Sequence, residues 1–200
     1  GCVVDCGDGV SSAVPVYQGF AVQHAVQRSD IAGRDVSDYL QLLLRKLGVN
    51  FHTSAEAEIV RDIKEKCCFI APDIQSAEAD KDPFVDYTLP DGKVVQLGKE
   101  RFRAPELLFR PSVVGSECSS LPEALTHAIS QCDMYVRKEL YSDILLSGGT
   151  TMTTGFGERL LSETRGLAPK DIMIKIWAPA KRTLSAWIGG SILASLASFK

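Results

Sequence analysis

Apolar positions in this chain alternate with period two at its start and then recur with helical spacing, an order that outlines an α/β fold. Val3-Val4 and Val10 flank the turn Asp5-Cys6-Gly7-Asp8-Gly9, which predicts an opening β-hairpin. Ala13 to Tyr17 and Ala21 to Val26 continue as strand-like segments separated by Gln18-Gly19. From Asp35 to Leu47 the residues Val36, Tyr39, Leu40, Leu43, Leu44 and Leu47 fall on one helical face, and Gly48 ends the run. Thr53-Ser54-Ala55-Glu56 has the spacing of a capping box, which predicts a second helix to about Cys68 with Ile59, Val60, Ile63 and Cys67 turned inward. Its other face carries Arg61, Asp62, Lys64 and Glu65, which the pattern alone reads as solvated.

Phe69 to Phe84, rich in Asp, Ala, Ser and Glu, reads as a loop and the best candidate for disorder. Tyr87 to Leu89 and Val94 to Leu97 alternate around Pro90-Asp91-Gly92 as a hairpin. A short helix is predicted around Pro105-Glu106-Leu107-Leu108, a capped one from Ser120, and another over Met134 to Leu140. Ile144 to Ser147 is a strand that runs into Gly148-Gly149-Thr150-Thr151, with a helix from Phe156 to about Ser162 and a strand over Met173 to Ile176. Ser185 to Phe199 closes the chain as a helix with Trp187, Ile188, Ile192, Leu193 and Leu196 over much of its surface.

Composition narrows the partners. The 200 residues suffice for one large or two small domains, and a net charge of −3 without a Lys/Arg block argues against direct contact with nucleic acid. No apolar run reaches membrane-spanning length, and no basic region with a long apolar core opens the chain, so an intracellular setting without membrane contact is expected. The six cysteines form no CxxC pair and are expected as reduced thiols. His24, His52 and His127 match no ligand spacing. Because the chain starts inside a strand at Gly1-Cys2-Val3-Val4, it is expected to be a piece of a longer protein.

The opening turn carries candidate chemistry. Glycine permits backbone conformations that gather successive N–H groups into a concavity suited to phosphate oxygens. Asp5 and Asp8 beside such a nest would repel phosphate unless a cation lay between, which points to a Mg²⁺-nucleotide held mostly through water. An Asp/Gly hairpin turn without a ligand is the simpler alternative. The Gly148-Gly149 turn is a second place where a flat ligand could lie on bare backbone.

Several long segments resemble actin and the actin-related proteins over nearly the whole chain. They are Val4-Asp5-Cys6-Gly7-Asp8-Gly9-Val10, Asp30-Ile31-Ala32-Gly33-Arg34-Asp35, Glu58-Ile59-Val60-Arg61-Asp62-Ile63-Lys64-Glu65-Lys66, Leu146-Ser147-Gly148-Gly149-Thr150-Thr151-Met152 and Trp187-Ile188-Gly189-Gly190-Ser191-Ile192-Leu193. Arg103 to Pro111 and Leu167 to Asp171 look more like the centractin type. The resemblance implies a ribonuclease-H-like α/β fold of two lobes with ATP or ADP and Mg²⁺ or Ca²⁺ between them. This chain would be one lobe: residues 1–32 and 117–184 as the family's third subdomain, 33–116 as the inserted fourth, and 185–200 as a terminal helix at the junction with the other lobe.

Carried over by position, Gly7, Asp8, Gly9 and Val10 look like the second phosphate loop, and Asp5 like the carboxylate that holds the cation through water. Gly33, Arg61, Lys64 and Glu65 match ribose and purine contacts, with Asp62 left as a solvated neighbour. Gly148, Gly149, Thr150 and Met152 match the platform under the nucleoside. The family's first phosphate loop and the glutamine that helps place the attacking water would lie in the other lobe, so this chain alone is expected to be a poor ATPase. Ser12 stands where the family has a histidine that orders the lytic water, which predicts slow hydrolysis in the intact protein as well. Thr153 replaces an aromatic residue and Thr183 a lysine beside the adenine, which predicts weaker binding or relaxed base preference. Pro111 to Ser116 match the hydrophobic plug with smaller residues; at roughly 25 cal/mol per Å² of lost burial its filament contacts should weaken.

The resemblance thus implies a cytoplasmic, cytoskeletal ATP-binding protein that assembles with itself, other actin-like subunits or actin-binding partners. The alternative is a non-polymerising scaffold subunit of a larger complex such as a nuclear chromatin remodeller. A sugar kinase or a heat-shock chaperone of the same fold would share the phosphate hairpin but not the long actin-like segments.

Overall fold

The computed structural model describes residues 1–79, 84–197 and 199. Strands β1 (Cys2–Cys6) and β2 (Ser11–Tyr17) form the expected antiparallel hairpin, with Val4 opposite Ala13 and Asp5 opposite Ser12. Cys2, Val4 and Cys6 are buried while Val3 and Asp5 are half-buried, the alternation of a sheet with one well-covered face. The predicted strand over Ala21 to Val26 is instead split. β3 (Phe20–Ala21) and β4 (Gln27–Ser29) both pair with β2, and a 3-10 turn at Gln23–Ala25 lies between them. Tertiary contacts set that break: Ala25 is fully buried and His24 Nε2 lies 3.2 Å from the Gln131 carbonyl.

The chain leaves this sheet after β4. Helix α1 (Gly33–Lys46) buries Val36, Leu40, Leu43 and Leu44, and starts two residues before the apolar stripe because Asp35 reaches back to accept from the Ala32 amide at 2.8 Å. Helix α2 (Ser54–Cys67) has the predicted capping box: the Glu56 amide donates to Thr53 Oγ1 at 3.2 Å, and the Thr53 amide to the Glu56 carboxylate at 2.8 Å. The stretch read as a loop contains helix α3 (Ile74–Ala79), started by Asp73, whose carboxylate accepts from the Gln75 and Ser76 amides. Residues 80–83, also part of that expected loop, lie outside the described residues.

β5 (Val85–Thr88) and β6 (Val94–Leu97) form a separate two-stranded sheet. Helix α4 (Glu100–Arg103) and a 3-10 turn at Pro105–Leu108 stand where one short helix was expected, and a second 3-10 turn follows at Pro111–Val114. Helices α5 (Leu121–Ser130) and α6 (Met134–Ser142) follow, α5 packing on β2 and β4. The chain then re-enters the first sheet as β7 (Ile144–Ser147), parallel to β1, with Leu146 beside Val4. Helix α7 (Phe156–Leu167) packs on α5. Strand β8 is Ile176–Trp177 rather than Met173 to Ile176 and pairs parallel with β7, completing the order β3-β2-β1-β7-β8.

One apolar cluster joins the sheet to the excursion, running from Val4 and Leu146 through Leu125, Phe156 and Phe109 to Leu107, Leu40 and Ile63. Helix α8 (Ser185–Ser195) is the exception. It ends four residues before the expected limit and has no buried residue, leaving Trp187, Ile192 and Leu193 exposed. Among the described residues, no helix is long and apolar enough to cross a membrane.

Candidate functional site

Three segments far apart in sequence meet at the carbonyl of Gly7. It accepts from the Gly33 amide at 3.0 Å and from Thr150 Oγ1 at 2.7 Å. The next carbonyl, of Asp8, accepts from the Arg34 amide at 2.7 Å. The β1–β2 turn is thereby tied both to the start of α1 and to the 3-10 turn Gly149–Met152 that follows β7. Close approach dictates two glycines. A Cβ on Gly33 would lie 2.4 Å from Thr150 Oγ1, and one on Gly148, where φ is +89°, would lie 2.2 Å from the Cys6 carbonyl oxygen.

Helix α2 lays its charged face over this junction. Lys64 Nζ donates to the Gly33 carbonyl at 2.7 Å; burial lowers its pKa, with the Asp8 and Glu65 carboxylates opposing that shift. Arg61 sits between Glu65 at 3.1 Å and Glu58 at 3.3 Å. Asp62, expected to be only solvated, instead accepts from the Tyr87 hydroxyl and pairs with Lys66 at 2.8 Å, so it fastens α2 to the β5–β6 hairpin. The bond to Asp62 pushes the Tyr87 hydroxyl up to about 12. Below the turn, Cys6 Sγ lies 3.0 Å from Ser11 Oγ, which donates to the Ile31 carbonyl at 2.6 Å.

These elements bound a cleft of about 1050 Å³. Of the residues singled out in the sequence, Gly7, Asp8, Arg61, Lys64, Glu65, Gly149, Thr150 and Met152 form its wall, together with Thr153 and Thr183. Gly9 and Val10 complete the turn, and Gly33 and Gly148 lie behind the wall at the two close backbone approaches. Asp5 is half-buried in β1, in register with Ser12 and Ser147. The amides of Asp8 and Gly9 donate to no acceptor among the described residues. A glycine turn with two unpaired amides, a carboxylate one strand position away and no side chain at Gly33 fits a phosphate ester and a hydrated divalent cation.

The structure adds residues that sequence reasoning passed over. Arg34, Ser37 and Asp38 line the cleft from the first turns of α1, and Pro105 and Leu108 from a 3-10 turn. The Arg34 guanidinium donates to Asp8 Oδ2 at 2.8 and 3.1 Å. Its position inside the Asp30 to Asp35 segment was the available signal; nothing local marks Pro105 or Leu108.

A family model for actin matches residues 1–200. The chain belongs to the actin family. It is 53% identical over 207 aligned positions to the Actin-like protein of Neurospora crassa, an alignment that covers 100% of this chain and 54% of that relative. The chain therefore spans about half the length of the relative it matches. The mixed sheet and its helices are those of an actin-like lobe.

Proposed function

We propose that this chain forms one wall of a nucleotide cleft in an actin-like protein and binds ATP or ADP with Mg²⁺ or Ca²⁺. The observation that carries this reading is the pair of unpaired amides at Asp8 and Gly9, on a turn whose carbonyls are tied back, at the edge of a cleft that also holds Lys64 and Arg61. In this reading the amides of Asp8, Gly9 and Val10 hold phosphate oxygens, on a turn that the Gly7 amide closes by donating to the Val10 carbonyl. Asp5 holds the cation through water, and the cation supplies charge neutralisation for the phosphates. Gly33, Arg61, Lys64 and Glu65 flank ribose and purine, and Gly148, Gly149, Thr150 and Met152 carry the nucleoside.

Residues 1–32 and 117–184 are read as the third actin subdomain, 33–116 as the fourth, and 185–200 as a helix that packs at the other lobe. The intact protein would be cytoplasmic, would self-assemble or join actin-like complexes, and would hydrolyse ATP slowly. A scaffold role without polymerisation is favoured by one feature: at the place of the plug stands a short 3-10 turn whose exposed apolar side chains are two valines, Val113 and Val114. Sedimentation of the intact protein with ATP separates these roles. For the cleft, Glu65→Ala in the intact protein should weaken ATP binding about tenfold by calorimetry, as expected for one lost polar contact. Unchanged affinity would remove Glu65 from the site.

A further inference from the structure

In a planar trans peptide the C=O and N–H point to opposite sides, so holding a carbonyl from behind aims the amide of the same peptide forward. The two peptides of the opening turn are held in this way. In peptide 7–8 the Gly7 carbonyl accepts from Thr150 Oγ1 at 2.7 Å and the Gly33 amide at 3.0 Å. In peptide 8–9 the Asp8 carbonyl accepts from the Arg34 amide at 2.7 Å, and the peptide that supplies that amide has its own carbonyl on Lys64 Nζ at 2.7 Å. Hydrogen bonds in series polarise one another, so the Lys64 charge is felt at the Gly9 amide. Among the described residues, Thr150 is the one side chain bonded to the backbone of this turn, from 143 residues away. Its hydroxyl is confined by the bare backbone of Gly33, where a Cβ would come within 2.4 Å of it.

We propose that Thr150 is a positioning residue whose hydroxyl, seated on the Gly7 carbonyl, sets the aim of the Asp8 and Gly9 amides toward the phosphates of a nucleotide. This rests on the nucleotide reading of the cleft. Valine has nearly the shape of threonine but leaves the Gly7 carbonyl with a single donor; serine keeps the hydroxyl. The hydroxyl therefore contributes to phosphate binding, while the Thr150 backbone, which these substitutions leave in place, stays part of the platform under the nucleoside.

Binding of MgATP by calorimetry and of adenosine by ligand-observed NMR, both on the intact protein, tests this. Thr150→Val should weaken MgATP about tenfold and adenosine less than about twofold, and Thr150→Ser should return MgATP to within about threefold of the unmodified protein. Thr150→Ala, which adds no bulk, repeats the test should the valine variant lose its native circular dichroism. Equal loss of both ligands in a folded variant, unchanged MgATP affinity, or a serine variant as weak as valine would overturn the proposal. If the unmodified protein bound no MgATP, the nucleotide reading itself would fall and the proposal with it.

Discussion

Two networks of charged side chains join the excursion between β4 and β7 to the rest of the molecule, and burial separates their roles. In the first, Arg159 on α7 donates to both carboxylate oxygens of Glu106 at 2.9 and 3.1 Å, to Glu163 at 2.7 Å and to the Ala71 carbonyl at 2.7 Å. The Arg159 and Glu106 side chains are 2% and 5% exposed, and the guanidinium lies over the Phe109 ring. In the second, Arg34 pairs with Asp8 at the cleft with side chains 71% and 62% exposed. In the first network each guanidinium nitrogen is engaged by protein and both partners are shielded from water. The second trades its bonds with water, so its charges remain available to an anion or a cation. Similar residue types thus serve as a fixed clasp on one side of the insertion and as an open binding edge on the other.

Breaking the clasp should have the largest effect. Burial works against the Arg159 charge, but the hydrogen bonds to Glu106 and Glu163 outweigh it and hold the guanidinium above its usual range. Arg159→Met leaves Glu106 buried with only Arg110, 3.3 Å away, and should cost about 3–5 kcal/mol in denaturant unfolding. Adding Glu106→Leu should recover most of that loss, because no unpaired charge then stays inside. A single-variant cost below about 1 kcal/mol would show that water reaches the pair.

The contrast between the networks also marks what local sequence can reveal. Helices α1, α2 and α5 were legible because each carries its signal within a few residues: an apolar stripe, or Thr53 with Glu56, or Ser120 with Glu123. The glycine turns were legible for the same reason, since the backbone conformation they need is written in the residue type. Helix α3 was passed over because its six residues carry no apolar stripe, and only the bonds of Asp73 to the Gln75 and Ser76 amides identify a cap. The strand predicted over Ala21 to Val26 failed because a contact to Gln131, 107 residues away, bends it into a 3-10 turn. Neither Arg159 with Glu106 nor Thr150 with Gly7 has a local signature, being 53 and 143 residues apart.

A second test sharpens the comparison from the side of buried groups that have no counter-ion. Burial raises the Cys2 and Cys68 thiols from 9.0 to about 12 and the Cys6 thiol to about 11. The folded protein then keeps these protons while the unfolded chain releases them as pH rises through about 9, so stability is full below that pH and falls above it. The three thiols together should remove about 2 kcal/mol between about pH 8 and 9.5. Cys68→Ala should flatten the decline by about a third. An unchanged profile would mean that the thiols ionise in place, and that the interior tolerates charge without a partner such as Arg159 has.

The smallest effect on stability is expected at the open edge. The Arg34 guanidinium is raised above its usual range by its hydrogen bond to Asp8, yet both groups are exposed, and ions screen such pairs. Arg34→Met should leave Tm within measurement error in 0.1 M salt, and the variant and unmodified protein should coincide fully at about 0.5 M. The Arg34 backbone amide, which holds the Asp8 carbonyl, is untouched by the substitution, so the turn should keep its shape. What should change is the charge of the cleft: without Arg34 the Asp8 carboxylate loses its partner, and divalent-cation affinity measured by calorimetry should rise modestly while that of an anion alone, inorganic pyrophosphate, falls. A large drop in Tm would place Arg34 with the clasp rather than with the open edge, and the distinction between the two networks would not hold.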